Sequence, residues 1–151
     1  MPEPVRASRD LPVSVVIPTR NCAAAFERHW AALESWAPRC REIVFVDSES
    51  SDGTLELVRK AAGSRANAVI LSHPPGLYAS WNAAIARCSA DFTCIATVGD
   101  CVAPDGLAHL VETAERLGCD ALLSPPGMRT GEGGPSAGRW PIHELAEARC
   151  P

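Results

Sequence analysis

The chain has 151 residues, 46% of them hydrophobic and 21% charged, and 14 Lys and Arg against 18 Asp and Glu give it a net charge of −4. The length suits one domain with an ordinary core, because domains most often run to roughly 100–150 residues. The mild acidity argues against a nucleic-acid binder, and no stretch approaches the ~20 apolar residues of a transmembrane helix.

Short apolar runs alternate with stretches of helical periodicity along most of the chain. Residues 1–12 are polar and interrupted by prolines, which predicts a flexible leader. The β-branched runs predict buried strands, and the apolar spacing between them predicts amphipathic helices. In chain order, the predicted elements are a strand at 13–17, a helix at 22–36, a strand at 42–46, a helix at 53–62, a strand at 67–72, a helix at 77–88, a strand at 92–97 and a helix at 104–117.

Apolar side chains mark one face of each predicted helix, which we expect to pack on the sheet. These faces carry Phe26, Trp30, Leu33 and Ala37 on the first helix and Tyr78, Trp81, Ile85 and Cys88 on the third. Residues 120–123 predict a fifth strand, 124–138 a loop rich in Gly and Pro, and 141–149 a last short helix. The alternation predicts an α/β fold that is Rossmann-like, with a mainly parallel sheet and helices on both faces.

The cysteines argue for a reducing compartment. There are seven, no two of them form C-x-x-C, and the first ten residues lack the apolar core of a signal peptide. A disulfide framework or a zinc site would show closer, paired spacings. We therefore interpret the cysteines as free, buried residues that act as small hydrophobes, and we expect a cytoplasmic location.

Polar and acidic side chains follow three of the predicted strands. Thr19 and Asn21 follow the first strand, Asp47 directly follows the second, and Asp100 follows the fourth. Because the carboxyl ends of parallel strands share one edge of a sheet, these residues are predicted to face one crevice. A plain role as turn residues or helix caps is the alternative, and it is the preferred interpretation for residues 50–52.

Two common nucleotide-binding motifs are absent. The turn after the first strand contains no glycine, so it lacks the G-x-G-x-x-G fingerprint, and the chain has no G-x-x-x-x-G-K-[ST]. A phosphate would have to be held by a metal ion, by arginine or by helix N-termini. The turn also lacks the glycine-rich, basic loop of a nucleotidyltransferase, which leaves that class as a minor alternative.

Four segments in chain order resemble family 2 glycosyltransferases. Residues 13–21 (VSVVIPTRN) resemble the family's opening VSVVIPTYN, and residues 46–54 (VDSESSDGT) resemble its VDDGSTDGT segment. Residues 76–85 (GLYASWNAAI) are similar to GIYDAMNKGI of the colanic-acid-type subgroup, and residues 97–100 (TVGD) to its NSGD. The resemblance covers about residues 13–117 and implies a GT-A fold that binds a nucleotide-sugar donor.

The resemblance also implies a nucleotide pocket at the strand ends. In the family, residues matching Pro18 and Thr19 line this pocket, and the carboxylate matching Asp47 accepts a hydrogen bond from the base, usually uracil. The residue matching Asn82 lies near the donor. The residues expected to bind the nucleotide are Pro18, Thr19, Asn21, Asp47, Asn82 and Gly99.

Asp100 matches the acidic motif that holds Mg²⁺ or Mn²⁺ against the diphosphate in the family. Thr97 and Gly99 stand where many relatives carry further aspartates, so we expect weak metal affinity without nucleotide. Trp81 replaces the arginine of the common A-R-N version and is interpreted as a core residue. Arg20 replaces a tyrosine and suits either a phosphate or solvent.

The resemblance implies transfer of a sugar, expected from a UDP-sugar, with inversion to the hydroxyl of a saccharide or lipid-linked acceptor in polysaccharide biosynthesis. Residues 13–124 would form the donor-binding domain, and 125–151 a loop and the start of the acceptor region. Most of the acceptor half, which supplies the general base, is expected to be missing, so no catalytic residue is predicted. A homo-oligomer is one way to cover the apolar surface this would expose.

Two readings of the same fold remain open from the sequence. One is an active transferase, and the other is a non-catalytic or truncated nucleotide-binding domain that acts as a partner subunit. The four histidines do not distinguish these two alternatives. None of them pairs with an acidic residue at a spacing that indicates a catalytic site, and His143 is interpreted as a surface residue.

Overall fold

The fold is built on a parallel sheet whose strands alternate with helices. In this computed structural model the described residues are 10–63, 65–100, 102 and 105–123, together with the backbone of 128–130 and 134–136. The chain divides after residue 112 into two units, of which the first holds the sheet and the second a small hairpin. The elements are β1 (Leu11–Thr19), α1 (Ala23–Leu33), β2 (Cys40–Asp47), α2 (Thr54–Ala62), β3 (Ala68–Ser72), α3 (Leu77–Ile85), β4 (Phe92–Ile95), α4 (Gly106–Leu117), β5 (Met128–Thr130) and β6 (Gly134–Ser136).

The sheet has the strand order β3-β2-β1-β4, and every neighbouring pair is parallel. β1 is a central strand, and its Val16 lies between Val44 of β2 and Ile95 of β4 in the register. All four strands therefore end at the same edge, and the loops that follow them meet there.

Alternate side chains of β1 enter two different cores, as the pleat of a strand requires. Val13, Val15 and Ile17 pack in the larger core with side chains of α1, α2 and α4, whereas Val16 packs in a smaller core with Ala84 of α3. Helices thus cover both faces of the sheet. The predicted α/β class, with a parallel sheet and helices on both faces, is confirmed.

The first helix is shorter than predicted. α1 ends at Leu33, and the chain then turns into a 3₁₀ segment at Ala37–Arg39, so the predicted end at residue 36 was wrong. The residue before a proline is disfavoured in α-helical conformation, and Pro38 therefore prevents a continuous helix up to Ala37. Trp36 and Ala37 are nevertheless fully buried.

The buried face of α3 also differs from the prediction. Ser80 and Ala84 are the buried residues of this helix, and Ala84 packs with Val16 of the sheet, whereas Tyr78 is 72% exposed and Ile85 is 40% exposed. Tyr78 packs edge-on against the half-buried Trp81, with the ring centroids 5.7 Å apart. Small side chains let the helix approach the sheet closely, and this packing overrides the spacing of the larger apolar residues.

The region after α4 departs from the prediction in two places. Residues 120–123 form no strand, and Leu123 is 86% exposed, so the predicted fifth strand was wrong. A strand without a pairing partner would leave its backbone groups unsatisfied. β5 and β6 pair antiparallel inside the predicted loop at 124–138. The leader at 1–9 and the helix at 141–149 lie outside the described residues, and the domain boundary at 124 stays a prediction.

The cysteines that the structure describes are unpaired, as expected. Five of them are free, and Cys101 and Cys150 lie outside the described residues. Only Cys40 is buried, and the other four are half-buried, so the predicted burial was wrong for those four. Burial of Cys40 raises the pKa of its thiol to about 12. It therefore behaves as a neutral, small hydrophobe at neutral pH.

Glu42 joins the amino-terminal part of the sheet to the loop before β4. Its carboxylate accepts hydrogen bonds from the hydroxyl of Ser14 at 2.6 Å, from the hydroxyl of Ser89 at 3.0 Å and from the Ser89 N–H. Desolvation raises the pKa of Glu42, but the hydrogen bonds from Ser14 and Ser89 outweigh it and leave the pKa below the usual 4.5. Glu42 thus stabilises the folded chain in its ionised form.

A Glu42→Gln variant is expected to be less stable than the wild type at pH 7 by roughly 1 kcal/mol, because the partly exposed carboxylate is screened by water. Because the folded-state pKa is lowered, the ionised Glu42 carboxylate stabilises the folded chain fully above about pH 4.5. This stabilisation is lost as the pH falls through the folded-state pKa. Urea unfolding at pH 7 and pH 3 measures it. The difference between the two proteins should shrink at pH 3, and a constant difference would contradict the assignment.

Candidate nucleotide-binding site

The ends of β1 and β2 meet in a buried hydrogen bond. Thr19 and Asp47 are register partners at the last position of each strand, and they are 3% and 2% exposed. The Thr19 hydroxyl donates to Oδ1 of Asp47 at 2.9 Å. Two residues that are 28 positions apart in the sequence are therefore in direct contact at the carboxyl edge of the sheet.

Asp47 also organises the loop between β2 and α2. The hydroxyl of Ser50 donates to its Oδ1 at 2.6 Å, and the N–H of Ser50 donates to its Oδ2 at 2.9 Å. On the other side, the N–H of His73, just after β3, donates to the main-chain oxygen of Asp47 at 3.0 Å. The residue thus connects the ends of three neighbouring strands.

Asn21 links the loop after β1 to the loop after β2. Its N–H donates to Oγ of Ser50 at 3.0 Å, and its Oδ1 accepts from the N–H of Ser51 at 2.9 Å. Asn21 has φ 45° and Glu49 has φ 54°, a left-handed conformation that costs non-glycine residues energy. Each of these strained residues lies in one of the two loops, and the hydrogen bonds to Ser50 and Ser51 hold Asn21 in place.

Asp52 caps the first helix from the neighbouring loop. Its Oδ2 accepts from the N–H of Ala23 in the first turn of α1 at 3.0 Å, and its Oδ1 accepts from the N–H and hydroxyl of Thr54 at 3.0 and 2.5 Å. The Thr54 hydroxyl and the Ala23 N–H hold the pKa of Asp52 below its usual value. Asp52 therefore pairs with the first N–H of α2, in agreement with its predicted role at the start of that helix, and also with the first N–H of α1, which was not predicted.

The Asp100 turn, residues 97–100, follows β4 on the other side of β1. The N–H of Ala96 donates to the oxygen of Val16 at 2.8 Å, and the N–H of Asp100 closes the turn on the oxygen of Thr97 at 2.9 Å. Gly99 has φ +109°, a conformation that side chains rarely adopt. The carboxylate of Asp100 is exposed, and with β1 between them the axes of β2 and β4 are roughly 10 Å apart.

The structure brings only part of the predicted site into one hydrogen-bonded network. Thr19, Asn21 and Asp47 belong to it, while Pro18 lies buried within β1 beside Val46. Gly99 and Asp100 belong to the separate turn after β4, and Asn82 is exposed on α3. The burial of His29 and the contact of His73 were not predicted from the sequence, because a lone histidine in a helix or turn gives no recognisable pattern.

A divalent cation fits this edge when it arrives with a diphosphate. The described residues contain no group of three or more His, Cys, Asp or Glu that could hold a metal ion. Mg²⁺ needs only one or two carboxylates when phosphates and water complete its shell, and the exposed Asp100 offers one. The donor set therefore suits a nucleotide-bound cation with Asp100 as its protein ligand.

Comparison with known proteins identifies the family. The sequence model described as "Glycosyl transferase family 2" matches residues 14–147. The chain belongs to glycosyl transferase family 2. No curated protein matches the chain. The family named by the sequence resemblance is thus confirmed, while assignment to the colanic-acid-type subgroup and loss of the acceptor half stay predictions.

Solved structures of other glycosyltransferases share the fold of this family 2 chain. A mannosyltransferase, PcManGT from Pyrobaculum calidifontis in complex with GDP-Man and Mn²⁺, is 25% identical, with a TM-score of 0.60 over 74% of this chain. S. aureus TarS in complex with UDP is 20% identical, with a TM-score of 0.60 over 69% of this chain. The chain spans 36% of the solved mannosyltransferase chain and 32% of the solved TarS chain, residues 1–349, which is about a third of each.

A helix that crosses a bilayer must be long and apolar. In this family 2 chain, no helix among the described residues is long and apolar enough to do so.

Proposed function

We propose that this chain is the donor-binding part of a metal-assisted, inverting glycosyltransferase that uses a UDP-sugar. The observation that carries the proposal is the buried Thr19–Asp47 pair, which lies at the strand edge where the sequence resemblance predicts the donor. Asp47 would recognise the imide N–H of the base, supported by Thr19 and Ser50. The acceptor would be the hydroxyl of a saccharide or lipid-linked saccharide in polysaccharide biosynthesis.

The spacing of the site supports a nucleotide diphosphate that crosses the end of β1. Asp47 at the end of β2 and the Asp100 turn after β4 lie on opposite sides of β1, with strand axes roughly 10 Å apart. A base near Asp47 would leave the diphosphate near Asp100. The 25% identical mannosyltransferase was solved in complex with GDP-Man and Mn²⁺, which supports the use of a divalent cation.

In the proposed reaction, the acceptor oxygen attacks the anomeric carbon from the side opposite the nucleotide. A new carbon–oxygen bond forms as the bond from that carbon to the diphosphate oxygen breaks, and UDP leaves with the electron pair. A bound Mg²⁺ or Mn²⁺ would offset the charge that develops on the diphosphate. The acceptor proton would pass to a general base outside the residues assigned here.

Calorimetric titration of the full chain with UDP, GDP, CDP and dTDP tests the proposal. Each nucleotide is measured with Mn²⁺, with Mg²⁺ and with a chelator. In the presence of metal, UDP is expected to bind more tightly than the other three nucleotides. In chelator, UDP is expected to bind only weakly. Failure of all four nucleotides to bind would refute the proposal. If GDP, the nucleotide in the mannosyltransferase complex, binds more tightly than UDP, the proposed donor changes to a GDP-sugar and the proposed binding site is retained.

An assay for sugar transfer and donor hydrolysis separates the active enzyme from a non-catalytic partner subunit. The single carboxylate of the metal motif favours the second role, and nucleotide binding without turnover would support it. We place either form in the cytoplasm, because its unpaired cysteines suit a reducing compartment. A homo-oligomer would cover the exposed apolar side chains of α3, such as Tyr78.

A further inference from the structure

The two oxygens of the Asp47 carboxylate accept different numbers of hydrogen bonds. Oδ1 accepts from the hydroxyl of Ser50 at 2.6 Å and from the hydroxyl of Thr19 at 2.9 Å. From the described residues, Oδ2 accepts only from the main-chain N–H of Ser50, at 2.9 Å. A carboxylate has about four acceptor positions, two on each oxygen. Oδ1 is therefore fully occupied, and one position on Oδ2 is left for a ligand.

The hydroxyl of Ser50 is held against Asp47 by the loop after β1. The main-chain N–H of Asn21 donates to Oγ of Ser50 at 3.0 Å, so that oxygen acts as an acceptor toward Asn21 and as a donor toward Asp47. Asn21 is fixed in turn by the N–H of Ser51, which donates to its Oδ1 at 2.9 Å. The occupation of the Asp47 Oδ1 thus depends on contacts between the two loops.

Burial makes the remaining acceptor position of Asp47 selective. Asp47 and Thr19 are 2% and 3% exposed, so water has little access to a ligand group that the carboxylate leaves without a partner. A donor that loses its hydrogen bonds to water and gains none in the site lowers affinity by about 10-fold. A base that presents one N–H to this carboxylate fits, whereas a base that presents two adjacent N–H groups leaves one of them unsatisfied.

We propose that the hydroxyls of Thr19 and Ser50 select the base of the donor by occupying Oδ1 of Asp47. Uracil presents a single imide N–H between two carbonyl groups, which matches the one free position. Guanine presents its N1–H and its 2-amino group side by side, and this pair needs both carboxylate oxygens. The inference rests on the proposed function, because it needs a nucleotide base at Asp47, and it attributes the choice of base to the number of free acceptor positions.

The test compares GDP with inosine diphosphate (IDP), which lacks only the 2-amino group of guanine. Because the two purines are nearly equal in size, the ratio of their affinities reports the second donor. Calorimetry of the full chain with Mn²⁺ should show that IDP binds about 10-fold more tightly than GDP. UDP should bind more tightly than either purine nucleotide.

Removal of either hydroxyl should free one position on Oδ1 and abolish the preference for IDP. Thr19→Val keeps the shape of the side chain, and Ser50→Ala removes the other hydroxyl; in each variant GDP should bind within about twofold of IDP. Ser50→Thr keeps a hydroxyl and should keep the preference. A general loss of structure at the site would instead weaken both purine nucleotides equally and leave their ratio unchanged.

Ser51→Ala is the matched control, because Ser51 is the exposed neighbour of Ser50 and enters the network through its main-chain N–H. It should keep the wild-type ratio. The inference is overturned if the wild type binds GDP as tightly as IDP, if a folded Thr19→Val or Ser50→Ala variant keeps the wild-type ratio, or if no protein binds either purine nucleotide. The proposed function survives these outcomes as long as the wild type binds UDP, and it fails together with the inference if no nucleoside diphosphate binds.

Discussion

Asp47→Asn is expected to weaken UDP binding about 100-fold or more, which corresponds to about 2.7 kcal/mol. The Asp47 carboxylate accepts hydrogen bonds from two hydroxyls and one N–H, and an amide group in its place would turn a donor toward at least one of these donors. Hydrogen bonds to charged groups contribute about 1.5–3 kcal/mol each, so the loops after β1 and β2 would lose much of their connection. Calorimetry with UDP and Mn²⁺ measures the loss.

Glu49→Gln is the matched control for this variant, because Glu49 is an exposed carboxylate two residues further along the same loop. It should bind UDP like the wild type. Thr19→Val separates the two roles of Asp47, since it removes one donor to the carboxylate and leaves the charge available to the base. UDP affinity of Asp47→Asn within threefold of the wild type would contradict the assignment of Asp47.

Asp100→Asn is expected to abolish the dependence of UDP binding on Mn²⁺. The affinity of oxygen-based cation sites depends on the charge of their ligands, and loss of the one carboxylate at this turn should weaken UDP binding in Mn²⁺ by about 100-fold. The variant should then bind UDP equally with Mn²⁺ and with chelator. For the wild type, Mn²⁺ without nucleotide should bind only weakly, because the described residues offer no cluster of three ligands.

Asp105→Asn serves as the control, since Asp105 is an exposed carboxylate close by in sequence, just before α4. It should keep the full response to Mn²⁺. A clear response to Mn²⁺ in Asp100→Asn would show that another group holds the cation. Tight binding of Mn²⁺ to the wild type alone would argue for a complete protein metal site instead.

Periodicity predicted the sheet and its helices because the relevant interactions are local. The run Val13–Ile17 is β-branched and apolar, so its strand was recognisable, and the structure extends it to Leu11–Thr19. The helix faces were less predictable. In α3 the large apolar residues predicted one buried face, yet the small residues Ser80 and Ala84 are the buried ones, and Ala84 packs on the sheet.

The candidate site was predictable as a set of strand ends but not as a network. A strand followed by Asp47 indicates where the carboxylate lies, while its partners Thr19 and Ser50 depend on the register between β1 and β2. Likewise, no local pattern predicts that Asp52 caps α1, which begins about 30 residues earlier.

By itself, then, the sequence determined the order of strands and helices, the family and the edge of the sheet at which polar residues gather. These follow from spacings of two to four residues and from short motifs whose residues are contiguous in the sequence. Only the tertiary structure decided which face of α3 is buried, how Thr19 meets Asp47 and that Asp52 pairs with the first N–H of α1. Contacts of this kind depend on the parallel register and on packing summed over the whole core, which no single segment encodes.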